Sequence, residues 1–258
     1  AFVIPGAKLV LYGSEHEGTT DELEAVINEN TACVAFVIMP FGLHGVGLEE
    51  TIRVAHERGV PVIVDAAAEL PPRANLSKFH KMGADMVAFS GGKGIGGPQS
   101  SGLLAGKADL VEAAVMNSLN LDSSVAGIGR PMKVSKENIV GLVTAIQLFT
   151  DSDEAAEWEN WQLKAQYVAD RLKDIDGVHV EIEDDPAERQ GPQPVLYFED
   201  DFQGPTIPDI KGQLENGDPA IFVGGGIERS EINIVMVNVQ DGEEIVIADR
   251  MKEILRRS

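Results

Sequence analysis

Two residues within the stretch 61–106 carry the chemistry this chain can offer, an acid at Asp65 and an amine at Lys93. Asp65 ends the run Pro61-Val62-Ile63-Val64-Asp65 and is followed by three alanines. Lys93 lies in Gly91-Gly92-Lys93-Gly94-Ile95-Gly96-Gly97-Pro98, directly after Asp85-Met86-Val87-Ala88-Phe89-Ser90. A lysine amine condenses with an aldehyde to a Schiff base, and a carboxylate facing it across a small ring can keep a ring nitrogen protonated. Those are the two side chains that pyridoxal 5'-phosphate asks of a protein. Glycines beside the lysine let the backbone approach a ligand and the amine swing. Ser90, three residues earlier, is placed to offer its hydroxyl to the cofactor phosphate.

Strands must hold these two residues. The β-branched run before Asp65 predicts a short, fully buried strand, and Asp85 to Phe89 predicts a second. Between them Leu76 to Met82 has the pattern of a short helix stopped by Gly83. A strand–helix–strand unit makes the two strands parallel with a right-handed crossover. Asp65 and Lys93 then share the carboxyl edge of one sheet, where open α/β sheets bind ligands. On neighbouring strands, about 4.8 Å apart, the two groups can address one ring.

Asp65-Ala66-Ala67, the stretch from Phe89 to Gln99, and Gly129-Arg130-Pro131-Met132-Lys133 resemble the fold-type-I pyridoxal-phosphate enzymes of the selenocysteine-synthase-like family. That family takes in seryl-tRNA(Sec) selenium transferases and D-glucosaminate-6-phosphate ammonia-lyases. The resemblance covers most of residues 7–150 and weakens after them. It implies an α/β fold-type-I transferase architecture: an N-terminally incomplete, mostly parallel large domain with its linking helix over 1–150, and a small C-terminal α/β domain over 151–258. It also implies that a preceding segment supplies further cofactor contacts. Ala67 is expected to pack on the cofactor ring. The working unit is expected to be a homodimer or higher, with its sites at a twofold interface.

Other loops with similar glycines do not match. Gly92-x-Gly94-x-x-Gly97 fits the dinucleotide spacing, but Pro98 follows, and Ser101 to Ala105 predicts a strand where that motif opens a helix. The P-loop fails because Val87 stands at its first glycine and Gly94 follows the lysine. A glycine-rich hairpin with a solvated lysine is the plain alternative. Within pyridoxal chemistry, the Gly-Gly-Lys-Gly loop and the IGRPMK segment look closer to the ammonia-lyase branch. The expected reaction is therefore α,β-elimination on an amino acid or a phosphorylated amino sugar acid. Selenium transfer on seryl-tRNA is the runner-up, and a non-catalytic dimerisation partner is the alternative from another class.

Composition narrows the partners. Acids outnumber bases 42 to 21, a net charge of −21, the reverse of what phosphate neutralisation by a nucleic-acid binder demands. The longest apolar run, Cys33 to Met39, is too short to span a bilayer, and one cysteine excludes an internal disulfide, so a cytoplasmic location is expected. Arg130 and Lys133 can hold a substrate phosphate or carboxylate, or can simply be solvated. His16, His44, His80 and His179 lack metal-ligand spacing, and His44, in the loop after a predicted strand, is the one nearest the expected site.

The remaining pattern predicts strands at Lys8 to Tyr12 and Thr31 to Ile38, with a helix capped by Thr20 over Asp21 to Asn28. Helices follow over Leu48 to Arg58, over Lys107 to Ser118 and from Lys136, the last capped by Ser135, with a second helical stretch to Ile175. After Gly177, strands are expected at Val178 to Ile182, Val195 to Phe198, Ala220 to Val223 and Ile232 to Val237, the last two joined through three glycines. Ile207 to Leu214 and Glu243 to Leu255 complete the pattern as helices.

Overall fold

The computed structural model describes residues 3–14, 17–38, 45–118, 127–185, 191–226 and 230–256. The chain divides into two compact units, Ala1–Asp151 and Ser152–Ser258. In the first, β1 (Val34–Val37), β2 (Val62–Asp65), β3 (Met86–Ser90) and β4 (Gly102–Gly106) form one sheet in that order. β1, β2 and β3 are parallel, and β4 runs antiparallel to β3. Helix α2 (Leu48–Glu57) packs on β2 and α3 (Asn75–Lys81) on β3, while α1 (Thr20–Val26) packs on α2. α4 (Ala108–Asn117) follows β4, and the long α5 (Lys136–Asp151) closes the unit.

Alternation along the strands divides the sheet into two faces. Val62, Val64, Val87 and Phe89 are buried on one face, in a core with Ile52, Val54, Phe79 and Leu142. Removing each such side chain from water contributes about 1.5–3 kcal/mol. The other face carries Ile63 and Asp65 of β2, beside Met86, Ala88 and Ser90 of β3. These are half-buried, except Asp65, which is exposed. β2 is thus buried on one face only, whereas its apolar run predicts burial on both.

Three further expectations are corrected here. Lys8 to Tyr12 makes no strand; Leu9, Val10 and Leu11 are exposed, and no β-ladder pairs them. β1 is shorter than Thr31 to Ile38 and has alternating half-buried and exposed residues. The α1 cap is Thr19, not Thr20. Its hydroxyl accepts from the Glu22 N–H at 3.3 Å, and a Glu22 carboxylate oxygen accepts from the Thr19 N–H at 2.9 Å. This reciprocal pair satisfies two donors of the first turn.

A buried carboxylate ties the amino edge of the sheet together. Asp85, 1% exposed, accepts the Val62 N–H at 2.6 Å and pairs with the Lys107 ammonium at 2.6 Å. It also bonds His56 Nε2, on α2, at 2.8 Å. Burial alone would push this carboxyl up; the Lys107 ammonium, the His56 ring and the Val62 N–H outweigh it and hold it below the ordinary Asp value. A folded-state value depressed in this way stabilises the protein above the unfolded-state value, and the contribution is lost as pH falls through the depressed one. Asp85→Ala should cost about 3 kcal/mol in urea unfolding near neutral pH, since it strands the Val62 N–H. The gap between variant and wild type should close in strong acid.

The second unit is a three-stranded antiparallel sheet, β5 (Val178–Glu183), β6 (Gln193–Phe198) and β7 (Glu231–Asn233), in that order. Val178, Leu196 and Ile232 bury one face in a core with residues of α6 (Glu154–Leu172), α7 (Ile207–Glu215) and α8 (Glu243–Leu255). Asp153 caps α6 and Thr206 caps α7. Lys164, nearly buried on α6, donates to the Val239 carbonyl at 2.6 Å and pairs with Asp241 at 2.9 Å, fixing the chain ahead of α8. Ala220 to Val223 forms no strand. The Gly224 N–H donates to the Asn233 carbonyl, and one isolated bridge joins Gly226 to Glu231. The positive φ of Gly225 (79°) interrupts a longer ladder. No helix among the described residues is long and apolar enough to cross a membrane.

Candidate active site

The topology brings the predicted acid and amine to one sheet edge. Asp65 is the last residue of β2 and pairs in register with Ala88 of β3. Two residues beyond Ala88, Ser90 ends β3 on the same face as Asp65, and Lys93 follows three residues later. β2 and β3 are parallel neighbours about 4.8 Å apart, and β3 runs two residues past the end of β2. Asp65 and Lys93 are both exposed. One Asp65 oxygen accepts the Ala67 N–H at 3.0 Å, and the carboxylate makes no ion pair among the described residues. The chain turns straight after Asp65, so Ala67 lies half-buried in the turn and not further along the strand.

The loop that presents Lys93 is wedged between two elements. Its closing bonds run from the Gly91 N–H to the Ser101 carbonyl (2.9 Å), from Gly97 to Gly91 (2.7 Å) and from Gly96 to Lys93 (2.8 Å). Ile95 is buried and anchors it. A Cβ on Gly91 would meet Leu142 of α5 at 2.7 Å, and one on Gly94 would meet the Leu70 carbonyl oxygen at 1.9 Å. The lysine therefore stands on a backbone pressed against α5 on one side and against the β2–α3 connection on the other. No side chain fits on the residue that follows it.

That connection holds a carboxyl that sequence patterning passed over. Glu69, half-buried, donates its N–H to the Ala66 carbonyl at 3.1 Å. Its own carbonyl accepts from Nδ2 of the buried Asn75 at 2.7 Å. Burial pushes the Glu69 carboxyl up, and the ammonium groups of Lys78 and Lys93 pull it only part of the way back. The signal available in the sequence was its place, an acid among Ala66-Ala67-Ala68 and Leu70-Pro71-Pro72, four residues past Asp65. His56, which bonds Asp85, was also passed over, because its partner lies 29 positions away.

The weaker candidates fall elsewhere. Arg130 opens a 3-10 turn, Arg130–Met132, and Lys133 follows it; both are exposed and make no ion pair among the described residues. Ser135 caps α5 by accepting the Asn138 N–H at 3.2 Å. His44 and His16 lie outside the described residues. His80 is half-buried, with Nδ1 3.4 Å from the Ala84 carbonyl, and His179 bonds Glu181 at 2.8 Å. Both make local contacts only.

Comparisons with known proteins agree with this architecture. Residues 5–195 match the family described as Aminotransferase class-V. A 5'-C-glycyluridine monooxygenase-decarboxylase of a Streptomyces species is 29% identical over 97% of this chain and 61% of its own length. The D-glucosaminate-6-phosphate ammonia lyase of Salmonella typhimurium is 29% identical over 98% of this chain and 65% of its own length. An L-seryl-tRNA(Sec) selenium transferase of Aquifex aeolicus is 28% identical over 72% of this chain. A solved structure of D-glucosaminate-6-phosphate ammonia-lyase superposes with a TM-score of 0.70 at 29% identity, over 97% of this chain and 64% of that one. The chain thus spans less than two thirds of the length of these relatives.

Proposed function

The chain belongs to the aminotransferase class-V family of fold-type-I enzymes, and we propose that it is a pyridoxal-phosphate-dependent lyase. Its reaction would be α,β-elimination on an amino acid or a phosphorylated amino sugar acid. The observation that carries this reading is the joint placement of Asp65 and Lys93 at the carboxyl ends of β2 and β3. The likeness to the ammonia lyase over nearly the whole chain supports the choice of elimination over selenium transfer. The net charge of −21 argues in the same direction, because a tRNA substrate must be held by its phosphates.

The residues present suit the cofactor. Lys93 is an exposed amine on a backbone with no room for a Cβ at Gly94, and Asp65 is an exposed carboxylate at the same edge. When bound, pyridoxal phosphate would supply an electron sink for the pair left on the substrate α-carbon. Lys93 Nζ would join the cofactor aldehyde and take the α-proton. The Asp65 carboxylate would keep a proton on the ring nitrogen. Ser90 would donate its hydroxyl to the phosphate, and Ala67 would lie against the ring.

The working unit in this reading is a homodimer, in which Arg130 and Lys133 reach the partner's site and hold the substrate's anionic group. Their exposure beside Met132 and Val134, with Ile139, Val140 and Val143 also exposed on α5, supports that placement. Ammonia release tests both parts together. Wild type with the cofactor should release ammonia from an amino sugar acid phosphate. Lys93→Ala and Arg130→Ala chains should each be inactive alone, and mixing them should restore part of the activity, since one site per heterodimer keeps both residues. Absence of ammonia from wild type would overturn the lyase reading. Absence of recovery with confirmed subunit exchange would place Arg130 outside the partner's site.

A further inference from the structure

We infer that α5 is the seat that fixes the stance of Lys93, and that Gly141 in its middle is a positioning residue for that lysine. The inference rests on the proposed role of Lys93 and adds a supporting element to it. One stripe of α5, made of Asn138, Gly141, Leu142, Ala145 and Phe149, is buried or half-buried, at the spacing of a single helix face. Turn by turn it meets the glycine loop. Asn138 Nδ2 donates to the Ser100 carbonyl at 3.5 Å. A Cβ on Gly91 would meet Leu142 at 2.7 Å, and one on Gly97 would meet Ala145 at 3.3 Å and Leu142 at 3.4 Å. A Cβ on Gly141 itself would meet Pro98 Cγ at 2.7 Å. Phe149, further along the stripe, has the Arg73 guanidinium of the β2–α3 connection over its ring, 5.8 Å from the centre.

Glycine inside a helix is unfavourable relative to alanine, because it gives up more backbone freedom on folding. Gly212 of α7 is the plain case, since a Cβ there would meet nothing within 4 Å. Gly141 differs, because Pro98 occupies the space its side chain would take. Carbon atoms in contact settle at about 3.5–4.0 Å, so a methyl group at 141 would drive Pro98 back by about 1 Å. A proline ring is locked to its own backbone and cannot swing aside. Pro98 follows Gly97, whose N–H closes the loop on the Gly91 carbonyl at 2.7 Å, and the Gly96 N–H closes on the Lys93 carbonyl at 2.8 Å. A shift at Pro98 therefore carries Lys93 with it. The loop has little room to absorb the shift, because Gly94 already lies against the Leu70 carbonyl. A reacting group misplaced by about 1 Å can lose on the order of 10²-fold in rate.

Two readouts test the seat, one of them without cofactor. In Gly141→Ala the amides of Gly96 and Gly97 should exchange hydrogen about tenfold faster than in wild type, relative to the amides of β2. The concentration of pyridoxal 5'-phosphate that half-labels Lys93 under borohydride should rise about tenfold. Adding Pro98→Ala removes the ring and should return both readouts to within about twofold of Pro98→Ala alone. Gly212→Ala should move neither. A merely structural role for Gly141 would leave the labelling untouched, since alanine favours the helix. Leu142→Ala adds no bulk and takes the support from Gly91, so it should quicken the same amides even where Gly141→Ala fails to fold. Wild-type exchange at Gly96 and Gly97 in folded Gly141→Ala or in Leu142→Ala, or a loss of label that Pro98→Ala does not relieve, would overturn the inference. A wild type that takes no pyridoxyl label on Lys93 while the amide effects persist would instead sink the proposed role of Lys93.

Discussion

Borohydride reduction of the protein incubated with pyridoxal 5'-phosphate should fix the pyridoxyl group on Lys93. Among lysines of the first unit, Lys107 is held by Asp85 at 2.6 Å at the amino edge of the sheet, and Lys78 and Lys81 lie on α3. Lys93 alone among these stands in the glycine loop at the carboxyl edge, on a backbone where Gly94 admits no Cβ. Label on Lys78, Lys81 or Lys107 would place the cofactor elsewhere and defeat the assignment. Lys93→Ala should lose the label and reduce ammonia release by roughly 10⁴-fold or more, because one residue serves as nucleophile and as base. Lys93→Arg should not restore either, since a guanidinium neither forms the imine nor gives up its proton.

How much of this was legible in the sequence depended on the range of the interaction. Helices and strands with strong local patterns, such as α2, α3 and β3, lay within a residue or two of expectation. The parallel pairing of β2 with β3 followed from the crossover rule, and with it the shared edge of Asp65 and Lys93. Pattern failed where partners decide. Lys8 to Tyr12 has the composition of a strand but no strand to bond among the described residues. β2 has an unbroken apolar run, yet one of its faces is only half covered. The His56–Asp85–Lys107 cluster joins residues from α2, the start of β3 and the end of β4, and no local spacing marks it. Glu69 escaped notice for a related reason. The connection that carries it is packed against the glycine loop at Gly94, a contact that exists only once the sheet has formed.

Asp65→Asn should separate the charge of the acid from its place in the turn. Asparagine keeps the size of the side chain and an Oδ1 that can accept the Ala67 N–H, the one hydrogen bond the Asp65 carboxylate accepts among the described residues. The fold and the turn after β2 should therefore survive, and borohydride should still label Lys93 in the variant. What disappears is the negative charge that would hold a proton on the ring nitrogen. A neutral ring draws electrons from the substrate α-carbon far less strongly, so turnover should fall on the order of 10²–10³-fold, the range seen when one preorganised electrostatic group is removed. Cofactor affinity should fall less, because the phosphate and the lysine linkage remain. Raising the pH should not restore activity, whereas a loss caused by misfolding would appear as weaker labelling at every pH. Wild-type turnover in Asp65→Asn would mean that the carboxylate only closes the turn with Ala67, and that the ring nitrogen finds its proton from another group.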